Sequence, residues 1–248
     1  MAGILAMRLL NAIARNRLNA AVLESLLADT GRLAEWTALC NQRGQARRMA
    51  ASSTAMTAVA ASTTAMTAVA ASSTAMTAVA ASTTAMAAVW ASNTASDAVL
   101  TSSTARLAVY NSNTALAALQ AKPTQIARQI GISGRCVLMS SSVNGFIFVQ
   151  NGIKVILLRR YYSNAEYDFI NWARGSTIDG PGNGPVAGAG GRTLYTSLQN
   201  RGCVSGTYTD TGAVAANNDT GNFVCAANGL KRNAVNLGGN LYIYYIPV

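Results

Sequence analysis

From Ala51 to Gln120 the apolar and polar positions recur every ten residues. Seven successive decads carry Ser at the second place, from Ser52 to Ser112, Thr-Ala at the fourth and fifth, and Ala at the eighth. The sixth place is Met56, Met66, Met76 and Met86, then Ser96, Arg106 and Leu116. The ninth is Val six times, Val59, Val69, Val79 and Val89 among them, and finally Leu119. A fixed register of this kind is unnecessary in a flexible spacer, so the segment predicts a folded repeat whose copies bury each other's small apolar faces.

Three architectures are compatible with the period. As a continuous helix, Met, Val and a small residue follow at steps of three, four and three. That gives roughly 3.33 residues per turn, over-wound relative to a heptad, and predicts a tight left-handed bundle. As a chain of short helices, Thr at the fourth place is the expected N-cap, with Thr94 and Asp97 as a capping-box pair and the Ser-rich triplet as the turn. As a β-solenoid, the Thr-rich positions would form flat coils, but abundant Ala and scarce β-branched apolar residues disfavour it. The helical readings are preferred.

Upstream, Ile4, Met7, Leu10, Ile13, Leu18, Val22 and Leu26 follow helical spacing, and a helix over 4–27 is expected. Asp29-Thr30-Gly31 breaks it, and Leu33, Trp36, Leu39 and Cys40 restart the spacing. So short a helical hairpin cannot cover its own apolar face, which implies a partner. Downstream, Lys122-Pro123 is expected to end the repeats, with a turn from Thr124 to Ile130 stopped by Gly131. From there "RCVLMSSS", "GFIFVQ", "IKVILLRRYY", "RTLYTSL", "SGTYTD", "NFVCAA" and "NLYIYYIPV" read as strands of an antiparallel β domain. "SVNG" and "VQNGI" supply Asn-Gly where hairpins want it. Residues 165–172 fit a strand or a helical turn. The alternation in the last strand is bulky on both sides, which places Tyr242, Tyr244 and Ile246 at a subunit interface, with Pro247 blocking pairing beyond.

The chain thus reads as α+β in three parts: helical residues 1–50, repeat residues 51–122 and β-rich residues 123–248. Composition changes this little. A net charge of +10 over 248 residues suits an anionic surface, but the arginines are scattered and no recognition motif accompanies them, so nucleic acid is not the expected partner. No run reaches about 18 apolar residues, so no membrane span is expected. The Arg-containing start could mimic a transit peptide, although the helical pattern continues past it and docking helices are preferred.

No histidine is present and no nucleophile or cofactor motif emerges; no enzyme activity, metal or cofactor is expected. "GPGNGPVAGAGG" lacks the lysine of a phosphate loop and reads as a surface loop; Asn183 in it and Arg192 just beyond are candidate contact residues. Glu166 and Asp168 read as a solvated face rather than a glycosidase pair. "NNDTGN" reads as a turn rather than a calcium loop. Cys40, Cys136, Cys203 and Cys225 are too irregular for a zinc site, and a Cys203 to Cys225 bridge remains open.

Helical start, decads of the form "SSTAMTAVAA" and a Gly/Asn/Tyr-rich end closing in "YIPV" together resemble tail-fibre and related virion appendage proteins of tailed bacteriophages. The resemblance implies a homotrimeric fibre made in the host cytoplasm and carried on the virion. Its N-terminal part, with Leu10, Ile13, Leu33, Trp36 and Leu39, would dock on other virion proteins. Met56, Val59, Met66, Val69, Met76, Val79, Met86 and Val89 would form the inter-chain seam, and the C-terminal domain would face a host receptor. A fully helical stalk of about 70 residues would reach about 100 Å. A capsid or tail decoration protein, and a secreted adhesin or ice-binding repeat, are the alternatives.

Overall fold

The computed structural model describes residues 19–132 continuously, strands within 136–139, 145–163, 168–171, 219–234 and 240–248, and single positions before residue 19. It is α+β: eleven helices among the described residues, regularly repeated, and one antiparallel sheet. The chain divides into two compact units, Met1–Gln125 and Ile126–Val248.

The helices are short, and the repeat explains why. In order they are α1 Ala20–Leu27, α2 Thr30–Cys40, α3 Arg43–Ala51, α4 Ser53–Ala61, α5 Thr63–Ala71 and α6 Ser73–Ala80. They continue with α7 Thr83–Ala91, α8 Asn93–Thr101, α9 Ser103–Tyr110, α10 Asn113–Gln120 and α11 Pro123–Ile130. Each decad is one helix, and the second-place serine is the N-cap. Its backbone is extended, as at Ser62 with φ −100° and ψ 120°, and its hydroxyl accepts from the backbone N–H three residues on. That single residue turns the chain sharply. Helices α4 and α5 meet at 106°, and α6 and α7 at 100°.

Three such turns return the chain over itself. Helix α3 packs on α6 and α6 on α9; α4 packs on α7 and α7 on α10; α2 packs on α5 and α5 on α8. The unit is therefore a single-chain α-solenoid with three helices per coil. Places five, six, nine and ten face its axis: Ala65, Met66, Val69 and Ala70 are buried, while Ala61, Thr63 and Thr67 are exposed. Burying a Met or Val side chain contributes about 1.5–3 kcal/mol, so one core residue of each type per helix drives the coil closed.

The serine hydroxyl has a second partner. Ser82 donates to the Ala50 carbonyl at 2.7 Å, Ser92 to Ala60 at 2.6 Å and Ser102 to Ala70 at 2.7 Å, and Ser112 reaches Ala80 in the same way; the Ser72 hydroxyl lies 3.1 Å from the Cys40 carbonyl and 2.7 Å from Asn41 Oδ1. Each of these carbonyls lies 32 residues back. One hydroxyl thus satisfies an orphan N–H at the start of a helix and an orphan C=O at the end of the helix one coil below. Two buried tryptophans add staples of their own: Trp36 Nε1 donates to Ala65 O at 3.2 Å and Trp90 Nε1 to Ala115 O at 3.3 Å.

Several expectations change. The N-cap is Ser at the second place, not Thr at the fourth, and Ser92 rather than Thr94 caps α8. Neither a continuous over-wound helix nor a β-solenoid is present. The proposed inter-chain seam, Met56, Val59, Met66, Val69, Met76, Val79, Met86 and Val89, is 0% exposed within one chain, so these residues have no surface to offer another copy. With coils stacked about 9 Å apart, seven decads rise only about 20 Å rather than 100 Å.

Residues 20–51 pack with the repeats. Helices α1 and α2 pack on α4 and α5, so the hairpin's apolar face is covered by the repeats. The helix expected over 4–27 is interrupted at Asn19, whose extended backbone and side chain cap α1. Pro123 does not end the series: it is the first residue of α11, a position where proline's missing N–H is harmless.

In the second unit the strands are β1 Cys136–Met139, β2 Gly145–Ser163, β3 Asp168–Asn171, β4 Asp219–Ala234 and β5 Asn240–Pro247, ordered β1-β5-β2-β4-β3 and antiparallel throughout. The Asn-Gly of "VQNGI" makes no hairpin: β2 runs through it, with a register shift between Asn151 and Lys154 opposite Asn228 and Gly229 of β4. "SVNG" does not join a hairpin either, since β1 and β2 both pair with β5 and not with each other. Asp219 to Asn222, expected in a turn, open β4.

Ile156 pairs with Ala226 on one side and Ile246 on the other, and all three are buried. Its neighbour Val155, on the opposite face, is buried too. Strand β5 is thus interior, and Ile246, expected at a subunit interface, is core of its own sheet. Tyr244 is half-buried, and Tyr242 pairs with Leu138 and Tyr161 through its backbone. Pairing does not stop at Pro247: the Val248 N–H donates to Lys154 O at 2.9 Å.

Candidate functional site

The same packing that builds the core leaves a groove between helices of successive coils, because places eight, ten and one carry mostly Ala. Three such grooves lie among the described residues. One lies between α1 and α4, about 500 Å³, with Arg17, Asn19, Ser53 and Thr57 on its walls. A second lies between α3 and α6, about 220 Å³, and a third between α5 and α8, about 470 Å³.

The last two are the same groove two decads apart, since their linings fall on identical decad places. The lower helix contributes places three and seven, Arg43 and Arg47 in one and Thr63 and Thr67 in the other. The upper helix contributes Thr77 in the first and Asp97 in the second. One frame therefore presents two guanidiniums at one level and a carboxylate at another.

Two titratable groups inside the solenoid are structural. Glu24 accepts hydrogen bonds from the Ser62 and Thr64 hydroxyls, and from the Thr64 N–H at 3.1 Å to Oε2, and so caps α5 from outside. The Ser62 and then the Thr64 side chain hold its carboxyl below the ordinary value of 4.5. Burial pushes the Cys40 thiol up to about 12, which keeps it protonated and unreactive.

Arg106, at a place occupied elsewhere by Met, donates from Nη1 to Leu100 O at 2.9 Å and Thr101 O at 3.0 Å. Its charge thereby serves the C-terminus of α8. Gln125 Nε2 donates to Asn93 Oδ1 at 2.8 Å and its Oε1 lies 3.1 Å from Ser96 Oγ. Among the described residues no group of three or more His, Cys, Asp or Glu is placed to hold a metal ion.

Of the expected docking residues, Trp36 and Leu39 are 0% exposed inside the first coil and cannot reach a partner, while Leu33 is half-buried. Leu10 and Ile13 lie outside the described residues, as do Asn183, Arg192, Glu166 and Cys203; Asp168 opens β3. Trp90, Leu100 and Tyr110, the large tenth-place residues, are buried in the core.

Sequence reasoning missed the grooves, because their walls come from helices thirty residues apart. The available signal was that Arg43 and Arg47 occupy decad places three and seven once the repeat is extended upstream. No protein-family model matches the chain, and no curated protein matches it in sequence.

Proposed function

We propose that the chain is a non-enzymatic structural subunit of a bacteriophage virion, a tail fibre or receptor-binding component. Residues 1–50 join it to other virion proteins, and the β-rich C-terminal part faces the host surface. One observation carries this reading: every decad is a self-capped module with mostly uncharged outer places, and from Ser72 to Ser112 the capping serine also reaches the coil below. The product of such a module is length and stiffness, set by the number of copies. The resemblance of the decads to those of phage appendages supplies the setting.

A homotrimer, expected from that resemblance, has to be built through the outer helix faces or the β-rich unit, because the Met and Val residues are enclosed within each chain. The test is immunogold labelling of phage particles with antibody to the full chain, together with the solution mass by sedimentation. Label on virion appendages and a trimeric mass are expected. Label confined to the host envelope would overturn the reading in favour of an adhesin, and label on the capsid shell would favour a decoration protein.

A further inference from the structure

The geometry points to the groove between α3 and α6 as a docking site for an acidic peptide segment of a partner protein. Arg43 and Arg47 stand one helical turn apart on α3, both exposed, on the same side of the helix. Helix α3 carries a third arginine, Arg48, and no acidic residue, and the sequence then holds no charge until Asp97. Nothing in the solenoid's packing calls for the pair: the equivalent places in the sister groove are Thr63 and Thr67 of α5.

The chemistry of the walls narrows the ligand. The Thr77 hydroxyl already donates to Ser73 O at 2.7 Å and Ser82 to Ala50 O, which leaves the Thr74 hydroxyl as a neutral donor beside the arginines and the guanidiniums as the charged ones. Anion recognition therefore falls mainly to the two guanidiniums, whose planar donor forks fit carboxylates. Thr77 Oγ keeps an acceptor lone pair for a peptide N–H. The rest of the lining, Ala50 and Ala81 among it, offers methyl groups to an extended chain. No aromatic residue lines the groove, so it has no platform for stacking bases, which separates this ligand from a nucleic acid.

The inference names the chemistry by which residues 1–50 engage another virion protein. It rests on the proposed function for where that protein sits, and not for the binding itself.

The test uses the full chain and fluorescein-labelled hexaglutamate, read by anisotropy at low and at physiological salt. Binding is expected, at least tenfold weaker in R43Q/R47Q and within twofold of the parent in R48Q. All proteins are first matched for helix content by circular dichroism. Placing T63R/T67R with D97T in the R43Q/R47Q background should restore binding in the sister groove. Absence of hexaglutamate binding by the parent would overturn the proposal. So would an equal loss in R48Q, which would mean unspecific charge attraction, or tighter binding of a labelled oligothymidine of equal charge. Those results would leave virion labelling untouched, whereas absence of label from virions would remove the fibre reading and leave peptide binding standing.

Discussion

Helices α4 to α10 and their neighbours α2 and α3 build the same solenoid from visibly different sequences. In the uniform decads Ser caps, Met or its substitute fills the sixth place and Val or Leu the ninth. In the flanking ones Gln42 stands where Ser is expected and makes no side-chain cap bond. Yet Trp36, Leu39 and Cys40, then Ala46, Met49 and Ala50, occupy places six, nine and ten and are buried as Met66, Val69 and Ala70 are. Gln125 continues the buried fifth place at the other end. The contrast separates two roles. Core places define the coil, while the serine staple tightens it and can be absent from a terminal copy that has no coil below.

The strongest way to break this equivalence is to empty the core in both classes. Met76→Ala and Met49→Ala should each lose about 2–5 kcal/mol in urea unfolding, as buried Met-to-Ala changes do. A cost at Met49 well below 1 kcal/mol would show that the flanking decad is not an equal part of the coil. Ser92→Ala should cost about 0.5–2 kcal/mol, since it orphans the Ala95 N–H and the Ala60 carbonyl together. Gln42→Ala should be close to neutral, and hydrogen exchange at Ala95 would report the lost cap directly.

The smallest effect concerns Glu24, which stands in where a lower carbonyl would otherwise receive Ser62. Its folded pKa is depressed, so its contribution is complete above the ordinary value of 4.5 and is lost as pH falls through the lower folded value. Acid unfolding of Glu24→Gln should therefore show a shallower loss of stability below about pH 4.5 than the parent. An identical slope would mean that the clasp to α5 adds nothing.

Of the fold, the period, the helical propensity and the burial of Met and Val were legible, because local spacing fixes which side chains share a face. So were most strands, where alternation and β-branched residues are dense. Asn151-Gly152 misled because that dipeptide also serves a bulge within a strand, and only the partner strand decides. The candidate groove was illegible, since Arg43 and Thr77 meet only after three helices have closed a coil.

Sequence alone determined the ten-residue period and which places carry Ser, Thr-Ala, Met and Val, for these are read directly from spacing along the chain. Only the tertiary structure decided that the modules cover one another within a single chain rather than across three. The decision rests on Ser in an extended conformation: one non-helical residue bends the path by about a right angle, and the hydroxyl then finds its second partner 32 residues back. No spacing along the chain distinguishes that bond from an ordinary cap, because its acceptor is a backbone carbonyl that every residue carries.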